Sequence, residues 1–128
     1  MKIIYILPLL VGLCISCGTS PERDAKKMHY RQKTLLEIQA EAAADDSLNN
    51  EEIELITQAY RENIGFSKSI LNKYKSDTAA LNVYKTRLAA LNQKIKTEQD
   101  SVIHALRTSK AYDKLQKALF ELYFPSKK

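Results

Sequence analysis

The stretch Asn49-Asn-Glu-Glu-Ile53-Glu-Leu-Ile56-Thr-Gln-Ala-Tyr60-Arg-Glu-Asn-Ile64-Gly-Phe-Ser-Lys-Ser-Ile70-Leu-Asn-Lys-Tyr74 decides the fold class. Ile53, Ile56, Tyr60, Ile64, Ile70 and Tyr74 recur at helical steps, and Asn63 and Ser67 carry the spacing across the gap. Only an α-helix brings such positions onto one face. Asn49 followed by Glu52 forms a capping-box pattern, in which each side chain satisfies the other's backbone N–H. The pattern runs through Gly65, so one helix is expected there in spite of a propensity cost of about 1 kcal/mol.

Beyond Tyr74, Lys75-Ser76-Asp77 reads as a turn, with Ser76 or Asp77 capping the next helix. Leu81, Tyr84, Leu88, Leu91 and Ile95 then continue at steps of three and four, through Gln99 and Val102 to Leu106. Tyr112, Leu115, Leu119 and Leu122 form a stripe about 120° or more out of phase with Leu106 at 100° per residue. A break is therefore expected near Thr108-Ser109, with Ser109 as the cap of a last helix ending before Pro125. On the N-terminal side, Ser20-Pro21-Glu22 is a helix start: hydroxyl cap, proline in the first turn, then an acid. That first helix carries Met28, Leu35, Leu36, Ile38 and Ala42 and runs to about Asp45, before the turn cluster of residues 45–50. Ahead of Met28 its face is weakly apolar, so this end is expected to fray or to serve as a stalk.

The fold class expected is all-α: a three- or four-helix antiparallel bundle with a long central hairpin of the second and third helices. Folding that hairpin about residue 75 pairs Ile56 with Ile95, Tyr60 with Leu91, Ile64 with Leu88 and Ile70 with Leu81. Charge agrees, since residues 37–62 hold eight acids against Arg61 and residues 63–97 hold seven bases against Asp77. Lys94 and Lys96 are thereby expected near Glu51, Glu52 and Glu54. The chain has 128 residues, with three glycines and three prolines. That length suits one domain, and so few turn formers argue against an all-β fold.

The first residues carry an address. Lys2 precedes the apolar run Ile3–Leu13, which is of signal length and well short of the roughly 18 to 20 residues that span a bilayer. Cys14-Ile15-Ser16-Cys17 follows, with a small residue just before the second cysteine. This segment resembles the signal and lipobox of bacterial lipoproteins, although Cys14 stands where Leu is usual. The resemblance implies cleavage before Cys17, acylation of the Cys17 thiol and anchoring at a membrane of the cell envelope. Gly18, in place of an acidic residue, favours the periplasmic leaflet of the outer membrane. The expected organisation is a cleaved signal at 1–16, a lipidated cysteine and tether at 17–21, a helical domain at 22–124 and a basic tail at 125–128. Cleavage also removes Cys14, leaving no pair for an intrachain disulfide.

No motif in the sequence identifies a reaction. Phosphate loops, nucleophile elbows and zinc-binding HExxH or CxxC patterns are missing. Asp100 and His104 stand at i, i+4, a spacing that a metal or a general base can use, but a metal needs a third ligand. His29 lies on another helix. Glu37 and Glu41 read as a solvated acidic face. No enzyme activity, metal or cofactor is expected.

Of the tyrosines, Tyr60, Tyr74, Tyr84 and Tyr112 fall on apolar stripes and are expected at the core or its edge. Phe120, Tyr123 and Phe124, beside Leu122, make the last turn apolar on most sides, so these three residues are the candidate partner-binding site. Arg23, Lys26, Lys27, Arg31 and Lys33 follow close behind the tether, where anionic headgroups attract cations at about 1 kcal/mol each. Nucleic acid is not expected as a partner, because the chain is exported. The function expected is a membrane-tethered, non-catalytic protein-interaction module. The alternatives are a periplasmic helical chaperone and an inhibitor or immunity-type lipoprotein.

Overall fold

The computed structural model describes residues 20–45 and 47–125. The signal, Cys17, most of the tether and the end of the basic tail lie outside them. Among the described residues five helices follow in order: α1 Pro21–Ala42, α2 Asn50–Lys73, α3 Thr78–Gln93, α4 Lys96–Arg107 and α5 Tyr112–Tyr123. The fold is all-helical, as the spacing predicts.

The caps explain where most helices start. The Ser20 hydroxyl accepts from Arg23 N–H, with Pro21 in the first turn. Asn49 and Glu52 close the capping box at 2.8 and 3.0 Å. Asp77, rather than Ser76, caps α3 by accepting from Ala80 N–H. Ser109 does not cap α5. Its hydroxyl donates to Leu106 C=O and closes the end of α4, while Ala111, in the left-handed region at φ 69°, turns the chain into α5.

The packing corrects further expectations. The first concerns the spine. Helix α1 is the central element, packing most extensively on α3 and α2 and also on α4. Helix α5 packs on α2. Ile56 shares a buried cluster with Leu35, Leu106 and Leu115 that does not include Ile95, and Lys96 pairs with Asp100 on its own helix at 3.3 Å. The physical reason lies in α1. Its buried positions Asp24, Ala25, Met28, Leu35, Leu36, Gln39 and Ala42 cover an arc of about 120° at 100° per residue, wide enough to serve two neighbours. Far from fraying, its N-terminal end is packed: Ala25 is fully buried and Asp24 nearly so. The second correction is a break within the expected third helix. Lys94 and Ile95 N–H bond back three residues, to Leu91 and Asn92 C=O, and this tightened turn separates α3 from α4. Asn92 is held by α1, bonding to both His29 and Gln32.

Burial falls into two clusters. The far one joins Leu35, Ala42, Leu48, Ile56, Leu106 and Leu115. The near one joins Ala25, Met28, Ile70, Tyr74 and Tyr84. Since α1 meets the end of α2 at its own start and the start of α2 at its own end, these two helices are antiparallel. Leu48 N–H donates to Lys110 C=O at 3.1 Å and ties the α1–α2 connection to the α4–α5 turn. No described helix is long and apolar enough to cross a membrane.

Candidate functional site

The antiparallel seam of α1 and α2 opens into a groove of about 670 Å³. Its size falls in the roughly 300 to 1,000 Å³ range of ligand sites. Helical spacing on α1 delivers Arg23, Lys26, Lys27 and Arg31 to one end and Leu35 and Ile38 to the other. Ala59, Asn63 and Phe66 supply the α2 wall, with Glu62 as its acid.

Local bonding fixes the walls. The Arg31 guanidinium lies over the Phe66 ring, 4.4 Å from its centroid. Such stacking leaves the N–H edge of the guanidinium directed outward. Asn63 donates to Arg31 C=O at 3.4 Å, and the Thr34 hydroxyl donates to Tyr30 C=O at 3.0 Å. Both polar side chains in the apolar half thus donate to the backbone of α1. Tyr30 stands on the rim, 71% exposed. Among the described residues, Arg23, Lys26, Lys27 and Arg31 form no ion pair.

Beneath this basic end lies a buried polar group of a different kind. Asp24 accepts from Lys73 Nζ at 2.8 Å and from the Tyr74 hydroxyl at 2.7 Å. Burial, then the hydrogen bond to Asp24 and the charge of that carboxylate, push the Tyr74 phenol well above its ordinary value. Burial likewise raises Tyr84. It raises Tyr60 too, against the opposing bond from Gln39. All of these groups support packing, as expected for tyrosines on apolar stripes.

The sequence-selected aromatic residues sit elsewhere. Phe120, Tyr123 and Phe124 are 60%, 56% and 64% exposed, and the Phe120 and Phe124 rings lie 4.8 Å apart, tilted by 32°. Tyr123 also lines a second cavity of about 390 Å³, with Met28, Leu35 and Ile64, on another side of the α1–α2 seam. The chain matches no family model, no curated protein and no solved structure. Its site must therefore be read from its own geometry.

Asp100 and His104 are both exposed on α4, and Asp100 is engaged by Lys96. His29 is held through Nδ1 by Asn92 at 2.7 Å. Among the described residues no three His, Cys, Asp or Glu side chains gather as metal ligands would. The apolar half of the groove was not evident beforehand. The cations on α1 stand out in the sequence, but Ala59, Asn63 and Phe66 become their neighbours only through the α1–α2 register.

Proposed function

We propose that this chain is a membrane-tethered, non-catalytic helical lipoprotein of the bacterial cell envelope, anchored through an acylated Cys17 and binding a protein partner through its last helix. The observation that carries the interaction reading is the exposure of Phe120, Tyr123 and Phe124 at one end of α5. Large aromatic side chains grouped in water cost solvation free energy, and such patches on soluble domains commonly mark contact surfaces. Aromatic residues also dominate the energetic centres of interfaces. The export-type segment ending at Cys17 supports the tether, and several acyl chains give lasting attachment.

The test is photocrosslinking in cells, with a photoreactive residue at position 120, 123 or 124 of the full chain and a control at exposed Lys85. One or a few adducts of discrete mass, absent from the control position, are expected. A broad ladder of many clients would instead favour a chaperone. Equal labelling from all four positions removes the interaction reading.

A further inference from the structure

We infer that the α1–α2 groove binds a single anionic lipid, with the headgroup phosphate at Arg23, Lys26, Lys27 and Arg31 and one acyl chain along Leu35, Ile38 and Ala59. The inference goes beyond the partner surface on α5 and does not depend on the tether.

Three features select this occupant. The first is polarity along the groove. Arg23 and Lys27 precede Ile38 by fifteen and eleven residues, about 16 to 22 Å of helix at 1.5 Å per residue. One leaflet's hydrocarbon layer, half of a core roughly 30 Å thick, has a similar length. The second is charge. Four cations against Glu62 line the groove, all in the N-terminal half of α1. Glu62 accepts from Gln58 at 3.0 Å, which ties it to its own helix. Arg31, stacked on Phe66, offers the flat N–H edge that suits a phosphate.

The third is the lack of a hydrogen-bonding rail. Thr34 and Asn63 already donate to helix carbonyls, and the backbone of both walls is consumed within the helices. An extended peptide would leave its own N–H and C=O groups unpaired there, at a penalty. A methylene chain has no such groups. Size agrees as well, since the volume suits a small amphiphile.

The full chain is reconstituted into phosphatidylcholine vesicles containing phosphatidylglycerol with a photoreactive diazirine near the end of one acyl chain. After irradiation, adducts are mapped by peptide mass. Adducts are expected on the segments 34–38 and 59–66. Arg23→Glu and Lys27→Glu alter exposed side chains, so circular dichroism should be unchanged while groove adducts fall about fivefold or more with each. Ala59→Phe, which fills the apolar half, should abolish adducts on 34–38 without releasing the chain from vesicles. Photoreactive phosphatidylcholine should label the groove several-fold less, and excess inorganic phosphate should not displace the lipid. The inference is overturned by adducts confined to residues before Ser20, by equal groove labelling from both lipids, by labelling indifferent to charge reversal, or by crosslinks between two copies of the chain at the groove in place of lipid.

Discussion

Where α1 ends and α5 begins, Leu35, Ala42, Leu48, Ile56, Leu106 and Leu115 close on one another as an aliphatic cluster. At the start of α1, Ala25, Met28 and Ile70 share the interior with two phenols, Tyr74 and Tyr84, and the carboxylate of Asp24. The far cluster is aliphatic at its centre, where every lost methylene leaves a hole, and it meets the Tyr60 phenol, bonded by Gln39, at its edge. The near cluster depends on partners, because its buried oxygens are stable only while hydrogen-bonded. The basic end of the groove sits over this second kind of core. One end of the bundle thus carries stability, and the other combines stability with an ordered polar base for exposed cations.

The largest effect that can break this contrast is a cavity in the far cluster. Ile56→Ala and Leu115→Ala remove two of the most deeply buried side chains and should each lower unfolding stability by about 2 to 5 kcal/mol. Urea unfolding followed by circular dichroism measures it. A loss under about 1 kcal/mol at both positions would mean that the far cluster is not the main support.

Next in size is the near cluster's polar pair. Asp24→Ala removes the buried carboxylate that accepts from both Tyr74 and Lys73, so a loss of about 1 to 3 kcal/mol is expected. Combined with Tyr74→Phe, which removes one of the donors to that carboxylate, the loss should be less than additive. Strict additivity would deny the link between them.

Alkaline titration reads the buried phenols of both clusters. Tyr74, Tyr84 and Tyr60 all have raised phenol values in the fold, whereas an unfolded tyrosine ionises near pH 10. The stabilisation is therefore fully present below about pH 10 and is lost as pH rises from there through the folded values, because the unfolded chain releases its protons first. Phenolate absorbance should show a late-ionising group of tyrosines whose release coincides with loss of helix. A single early step with helix intact would contradict it.

The smallest effect concerns the α2 segment between the two clusters. Gly65 lies on its exposed side, and a Cβ added there meets nothing within 4 Å. Gly65→Ala should therefore raise stability by about 0.5 to 1 kcal/mol, read as a shift in the urea midpoint. A loss would mean that the helix bends at this glycine in solution.

Helix existence was legible because capping and spacing are local: Ser20, Asn49 with Glu52, and Asp77 act where their chemistry implies. The pairing of helices was not. The stripe from Leu81 to Leu106 runs unbroken in sequence, yet the chain turns at Lys94, where Asn92 reaches α1 and no glycine or proline marks the place. The central role of α1 was hidden for a similar reason. Its buried face is built partly of Ala25, Gln39 and Asp24, which register weakly as apolar although they pack fully. Half of the groove was visible as a run of cations on α1; the other half awaited the facing residues of α2.

The anchor proposed at Cys17 is read out by the intact mass of the protein purified from its native membranes. A chain beginning at Cys17, heavier than its amino acids by the mass of attached acyl groups, is the result predicted. A native chain that starts elsewhere, or that shows no such increment, would contradict the tether while leaving the helical fold in place.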